Sequence, residues 1–193
     1  MRTVKWRDNM SLEKSLILHC APTLASIKPA SLFTIEEDSR RQLDSELRQW
    51  NRILSPKGLS LCVLRRSGKT ALVYVYRRSH LLKSLECPEM GEFLRSYGYE
   101  SMTISGVLRQ LIKRLGQCKG FPHEIGAFLG YPLEDVVGFI ENEGRNCKCV
   151  GCWKVYGDAA QAERRFAQYR KCHCVYQRLW DEGRSVLQLT VAA

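Results

Sequence analysis

The chain has 193 residues, 45% of them hydrophobic, which suits a globular protein with a core of its own. Its net charge of +10 would favour an anionic partner if the cations were clustered, but they are scattered along the chain as pairs such as Arg40-Arg41 and Arg164-Arg165. The apolar runs are too short to span a bilayer and no signal peptide is recognisable, so we expect a cytoplasmic protein with no membrane partner. The nine cysteines then fit free thiols in a reducing compartment.

The first third of the chain predicts helices. Ser11 can cap a helix that breaks at Ala21-Pro22, after which a second short helix runs towards Ile27. Between about 38 and 54, apolar residues recur at helical spacing with charges between them, which predicts an amphipathic surface helix.

The middle of the chain changes its period. Segments 59–64 and 70–76 are rich in β-branched and aromatic residues and flank a turn at 65–69, which predicts a β-hairpin. The second of these strands is apolar on both faces, so we expect protein to cover the sheet on both sides.

The remaining elements complete an α+β prediction. Further helices are expected near 81–85, 89–96 and 103–115, and a last long helix should run from Asp158 to Glu182. Segment 152–156 alternates like a third short strand. We therefore predict a single α+β domain over 1–193, in which about seven helices wrap a small antiparallel sheet made of the hairpin and one short strand.

The segment from 120 to 140 is the most constrained part of the chain. Two prolines, Pro122 and Pro132, each begin a predicted helix, and three glycines interrupt the run. The helical pair at 121–143 has the spacing of a helix-turn-helix. Its second helix offers acids and no Lys or Arg before Arg145, which would repel a phosphate backbone, so a hairpin used for packing explains the same pattern.

Five short motifs are spread along the chain: His-Cys-Ala-Pro-Thr-Leu at 19–24, Phe-Pro-His-Glu-Ile-Gly at 121–126, Phe-Leu-Gly-Tyr-Pro at 128–132, Val-Gly-Phe-Ile at 137–140 and Trp-Lys-Val-Tyr-Gly at 153–157. Together they resemble the motifs of a bacterial family catalogued as domain of unknown function 3793. The similarity covers nearly the whole chain and implies a bacterial cytoplasmic setting, with no activity or cofactor to carry over.

A thiol-based site is the first functional hypothesis. If Pro22 begins a helix, Cys20 lies at or next to its N-cap, where backbone N–H groups and the helix dipole favour a thiolate. His123 lies in the first turn of the helix begun by Pro122 and could act as a base, with Glu124 or Asp135 as the orienting acid. The predicted Cys-His-carboxylate arrangement would suit acyl transfer or thiol exchange, in a cleft where the two helix starts meet.

Packing is the competing explanation for these residues. Cysteine is among the most buried residue types, and His19 beside Cys20 is either a further catalytic candidate or a core histidine. An acid in the first turn stabilises a helix without any function, which accounts equally well for Glu124.

Two further sets of residues suggest ligands. Lys28 could contact an anionic small molecule, and Tyr131 is a further candidate binding residue. Four aromatic side chains could stack on a base or another planar ligand, although large aromatic residues in strands more often belong to a core: Trp153, Tyr156, Tyr74 and Tyr76. A zinc or iron site could use Cys149, Cys152 and Cys172, although only the first two have ligand spacing and a fourth ligand is missing.

Three functions therefore fit the sequence: a thiol-based catalytic or redox protein, an adaptor that binds protein or nucleic acid through the 121–143 pair, and a thiolate metal binder. Of these three functions, only the metal binder requires a cofactor, which would be zinc or iron.

Overall fold

A three-stranded antiparallel sheet lies between two layers of helices in the computed structural model, which describes residues 11–117 and 120–192. Within these ranges there are nine α-helices, one 3-10 helix and five strands. The elements in chain order are α1 (Leu12–Leu24), β1 (Ala30–Glu36), α2 (Arg40–Leu54), the 3-10 helix (Ser55–Lys57), β2 (Leu59–Ser67), β3 (Thr70–Arg77), α3 (Arg78–Leu85), α4 (Pro88–Ser96), α5 (Ile104–Gln117), α6 (Ile125–Phe128), α7 (Leu133–Glu141), β4 (Cys149–Val150), β5 (Lys154–Val155), α8 (Ala159–Asp181) and α9 (Val186–Leu189).

The central strand of the main sheet is β3, which pairs with β1 on one side and β2 on the other. Tyr74 lies opposite Leu32 of β1 and opposite Cys62 of β2, and a register shift interrupts β2 between Val63 and Arg65. Every residue of β3 after Thr70 is buried, which confirms the prediction of a strand covered on both faces.

Alternate side chains of β3 supply two separate cores. Val73 and Val75 pack with α1, α2, α8 and α9 on one face of the sheet. Tyr74 and Tyr76 pack on the other face with α3, α4, α5 and α6. Because successive side chains of a strand point to opposite faces, one strand connects both helical layers.

The predicted break in the first helix is wrong. Ser11 caps α1 as expected, accepting a hydrogen bond of 3.2 Å from the Lys14 N–H, but the helix continues past Pro22 to Leu24. A proline removes one helical hydrogen bond and can distort the turn before it. Here the last turn is buried against the sheet, and the carbonyl of Pro22 accepts hydrogen bonds from the next segment at Ile27.

The α+β class and the small antiparallel sheet are confirmed, while the third strand of that sheet is a different segment from the predicted one. It is β1, which had not been predicted. The 152–156 segment instead contributes β5 to a separate two-stranded sheet with β4. Pairing with β3 along seven residues is a long-range contact, which local periodicity cannot reveal.

A third, smaller core joins the two-stranded sheet to the first half of α8. Trp153 and Val155 pack there against Phe166 and Tyr169. The helix begins as predicted after Asp158, whose carboxylate accepts a hydrogen bond of 2.9 Å from a backbone N–H of the first turn. No helix in the described part of the chain is both long and apolar enough to cross a bilayer.

Candidate functional site

A cavity of about 310 Å³ lies beside α6, α7 and β5. Its wall includes five aromatic rings and one lysine: Phe121, His123, Tyr131, Phe139, Trp153 and Lys154. Two depressions along α8 enclose more space but are shallower and more open to solvent. The aromatic pocket, as we call this cavity, therefore combines enclosure with a largely apolar wall, as small-molecule sites do.

The turn between α6 and α7 attaches the pocket to the main sheet. Gly130 has a φ of +75°, and a Cβ atom at this position would lie 2.5 Å from the ring of Pro29. Only glycine combines that backbone conformation with so close an approach. The turn therefore packs on the segment that leads into β1, and it places Tyr131, the next residue, in the pocket wall.

Asp135 holds β5 against α7 and fixes the orientation of Trp153. Its buried carboxylate accepts a hydrogen bond of 2.6 Å from Trp153 Nε1 on Oδ2, and two more from the backbone N–H groups of Tyr156 (2.7 Å) and Gly157 (2.8 Å) on Oδ1. Both oxygens of the carboxylate have partners. Asp135 thus positions an aromatic wall of the pocket, whereas the sequence suggested it as an orienting acid for His123.

Trp153 also lies between two other rings. Tyr131 stacks on it with centroids 4.9 Å apart, and Phe166 meets it edge-on at 4.5 Å. The Lys28 ammonium lies 5.7 Å from the centre of the Tyr131 ring, and burial lowers the pKa of this lysine. Burial raises the pKa of Tyr131 to about 12, so its hydroxyl stays protonated near neutral pH.

The other side of the pocket is formed by His123, Phe139 and Lys154. His123 is exposed and its ring lies 5.3 Å from that of Phe139, at a tilt of 58°. The Lys154 ammonium lies 5.8 Å from the centre of the Phe139 ring and donates a hydrogen bond of 2.6 Å to the carbonyl of Gly144. Two of the three groups therefore offer N–H donors next to an aromatic surface.

Glu124 does not orient His123. Its side chain is buried and pairs with Arg114 of α5, and it accepts a hydrogen bond of 3.1 Å from the Tyr99 hydroxyl. Its Oε2 atom is buried without a hydrogen-bond partner in the described part of the chain. Adjacent residues of a turn point in different directions, so Glu124 anchors the segment to α5 while His123 lines the pocket.

Cys20 does not lie at a helix N-terminus. It is in the body of α1, fully buried in the core between that helix and the sheet. Burial raises the pKa of its thiol to about 12, although Lys28 and a hydrogen bond with Ser31 act in the opposite direction. A protonated thiol enclosed in a core lacks both the charge and the access that a nucleophile needs.

The predicted cleft between two helix starts does not form as expected. Pro22 lies in the last turn of α1, so there is no helix start at that position. His19 is exposed and stacks on Phe33 of β1, with ring centroids 5.4 Å apart, and it does not line the aromatic pocket.

The three cysteines predicted as metal ligands lie in different environments. Cys149 is in β4, Cys152 is exposed in the following turn, and Cys172 lies in α8, packed against the core between α1 and the main sheet. Among the described residues, no group of three or more His, Cys, Asp or Glu side chains is arranged to hold a metal ion. Burial raises the pKa of Cys172 to about 11, which also opposes thiolate ligation.

The 121–143 pair also differs from a nucleic-acid-binding motif. Its first helix, α6, has four residues, which is a single turn. In the first turn of α7 the exposed Glu134 would meet phosphates with negative charge, while Asp135 is buried. Tyr156, predicted to stack on a ligand, instead donates a hydrogen bond of 2.9 Å to the carbonyl of Arg145 and does not line the pocket.

Of the sequence-predicted site residues, His123, Tyr131 and Trp153 meet in one cavity. Their roles in binding stay predictions. Sequence reasoning missed Phe121, Phe139 and Lys154, because their place in one cavity depends on how segments distant in sequence pack together. A concentration of aromatic residues around Pro122 and Gly126 was the one available signal.

Comparison with known proteins identifies the family. A family model matches residues 16–190, which runs from α1 through α9 and includes every residue of the aromatic pocket. No curated protein and no solved structure matches the chain. The chain belongs to the family described as "Protein of unknown function (DUF3793)".

Proposed function

We propose that this protein binds a flat aromatic or heteroaromatic small molecule in the aromatic pocket. The observation that carries this proposal is a cavity of about 310 Å³ walled by aromatic rings. Small-molecule sites are typically concave, largely apolar and equipped with a few polar groups, and their volumes begin at about 300 Å³. His123 and Lys154 supply such polar groups here.

The pocket is organised before any ligand enters. Trp153 is held by its hydrogen bond to Asp135 and by contacts with Tyr131 and Phe166. Binding therefore needs little ordering of side chains, which would otherwise reduce the affinity. At about 0.3 kcal/mol of binding free energy per heavy atom, a three-ring ligand of about 17 heavy atoms would gain about 5 kcal/mol. This free energy corresponds to a Kd of a few hundred micromolar or tighter.

The thiol reaction predicted from Cys20 is not part of this proposal, because that thiol is enclosed and its pKa is about 12. Binding of nucleic acid through α7 is opposed by the exposed Glu134 in its first turn. We keep the cytoplasmic location as part of the proposal, because the eight described cysteines are free thiols of the kind a reducing compartment maintains.

The proposal is tested by titrating the protein with N-phenyl-1-naphthylamine, a neutral three-ring compound that becomes fluorescent in apolar surroundings. We expect saturable binding of one molecule per chain. Phe139→Ala should weaken it about five- to thirtyfold, because a ring that contacts the ligand contributes about 1–2 kcal/mol beyond the contacts that alanine retains.

Phe93→Ala is the matched control. Phe93 is half-buried and packs on one neighbouring ring at 5.1 Å, much as Phe139 packs on His123 at 5.3 Å, but it lies on α4 outside the pocket. Its removal should leave the Kd within twofold of wild type, which is a change of at most about 0.4 kcal/mol in the binding free energy. Equal losses in the two variants, or non-saturable binding to wild type, would refute the proposed function.

A further inference from the structure

We infer that the ligand of the aromatic pocket carries an anionic group, such as a carboxylate or a phosphate, which Lys154 binds at the edge of the pocket. This inference rests on the proposed function and adds the chemical class of the ligand. It is carried by the arrangement of charge around the cavity.

The Lys154 ammonium is held in place without being neutralised. It donates to the Gly144 carbonyl at 2.6 Å and lies 5.8 Å from the centre of the Phe139 ring. Gly144 has a φ of +73°, and a Cβ atom there would lie 3.0 Å from the Phe139 ring. The turn therefore packs on Phe139 and presents its carbonyl to the lysine. An ammonium has three N–H donors, so two remain for a ligand.

No carboxylate among the described residues forms an ion pair with Lys154. The acid that lines the pocket, Asp135, already accepts three hydrogen bonds, from Trp153 Nε1 and from the N–H groups of Tyr156 and Gly157. Since both of its oxygens have partners, Asp135 is occupied in positioning the pocket wall. The ammonium is thus a fixed cation next to an apolar cavity, where a charged ligand group would be its counterion.

A second cation lies by another wall of the pocket. The Arg65 guanidinium is 5.1 Å from the centre of the Phe121 ring and donates a hydrogen bond of 3.1 Å to the carbonyl of Gly120. In the part of the chain that the structure describes, it too lacks a carboxylate partner. Arg65 and Lys154 place two cations beside the pocket against one carboxylate in its lining, Asp135, and this excess of positive charge favours an anionic ligand over a cationic one.

The test compares two fluorescent probes that differ by one anionic group: 8-anilinonaphthalene-1-sulfonate and its neutral counterpart N-phenyl-1-naphthylamine. In Lys154→Met, the Kd of the sulfonate should rise about three- to tenfold, while the Kd of the neutral probe should change less than about twofold. Lys154→Arg keeps the positive charge and should retain most of the affinity for the sulfonate. Raising NaCl from about 50 to about 500 mM should weaken binding of the sulfonate alone.

Lys148→Met is the matched control. Lys148 is also exposed and also donates a hydrogen bond of 2.6 Å to a glycine carbonyl, that of Gly157, but it does not line the pocket. This variant should bind both probes as wild type does. A general effect of net charge or of a loosened turn would lower sulfonate binding in both methionine variants, and that result would overturn the role of Lys154.

The outcomes separate the two proposals. If both probes bind wild type and lose affinity equally in Lys154→Met, the pocket stands and the anion inference falls. If neither probe binds saturably, both fall. Competition then identifies the anion. Both 1-naphthoate and 1-naphthyl phosphate should displace the sulfonate better than neutral 1-naphthol does. The stronger competitor of the two shows whether the pocket prefers a carboxylate or a phosphate. Equal displacement by 1-naphthol would overturn the inference.

Discussion

Arg77 provides the sharpest test of how the fold is held together. It is the last residue of the central strand β3, and its side chain is fully buried. The guanidinium donates to four carbonyls on three separate segments: Thr23 at 2.8 Å and Leu24 at 2.6 Å at the end of α1, Lys57 at 3.0 Å in the 3-10 helix, and Val191 at 2.9 Å near the C-terminus. Arg77 therefore ties the end of α1, the 3-10 helix and the segment after α9 together through their backbone carbonyls.

Arg77→Met removes these four hydrogen bonds and leaves the carbonyls enclosed. At about 1 kcal/mol for each bond, the loss is about 4 kcal/mol, and the gain from no longer burying a charge reduces it to about 3–4 kcal/mol. Arg77→Lys should lose a similar amount, because one ammonium cannot reach carbonyls on three segments. The total stability of a folded protein is roughly 5–15 kcal/mol, so this loss would be a substantial fraction of the free energy of unfolding.

Urea unfolding followed by circular dichroism measures this loss. With an m-value of about 2–3 kcal/mol/M, the midpoint should fall by about 1–2 M urea in both variants. Arg78→Met is the control, since Arg78 is the next residue and is exposed, and its midpoint should stay within about 0.3 M of wild type. A loss below about 1 kcal/mol for Arg77→Met, with unfolding still cooperative, would refute the role assigned to these hydrogen bonds.

Two further predictions concern the candidate site and the buried thiol. Asp135→Asn should lower the free energy of unfolding by about 2–3 kcal/mol and weaken binding of the neutral probe severalfold. The reason is that the new amide N–H₂ would face an N–H donor, of Trp153 or of the backbone, where the carboxylate accepted a hydrogen bond. Urea unfolding and the probe titration measure the two effects, and unchanged values would contradict the role assigned to Asp135. Iodoacetamide at pH 8 should alkylate the exposed Cys174 and leave Cys20 unmodified. With a pKa of about 12, only roughly one Cys20 thiol in ten thousand is ionised at this pH, and the thiol is also enclosed. Peptide mass spectrometry measures the rate of alkylation at each cysteine, and comparable rates at the two would restore the thiol hypothesis.

Local patterns predicted much of the fold. The hairpin of β2 and β3, the amphipathic helix α2 and the long helix α8 occur where residue period, turn residues and caps placed them. These features depend on contacts between residues that are close in sequence, so the sequence contains the necessary information. The α+β class followed from the same elements.

Other parts of the fold depended on distant contacts. Strand β1 joins the sheet through seven pairings with β3, about forty residues further along the chain. Helix α1 passes through Pro22 because its buried face packs on that sheet. A local rule that breaks helices at proline failed here because tertiary packing outweighed the lost hydrogen bond.

By itself, the sequence determined the family, the fold class and the elements α2, β2, β3 and α8. Only the tertiary structure decided which side chains share a cavity. Trp153 and Lys154 reach the pocket because Asp135 binds the Trp153 side chain and the backbone just after β5, and Cys20 is enclosed because a sheet covers its helix. Such placements are set by which surfaces become buried together, a property of the whole folded chain that residue spacing does not encode.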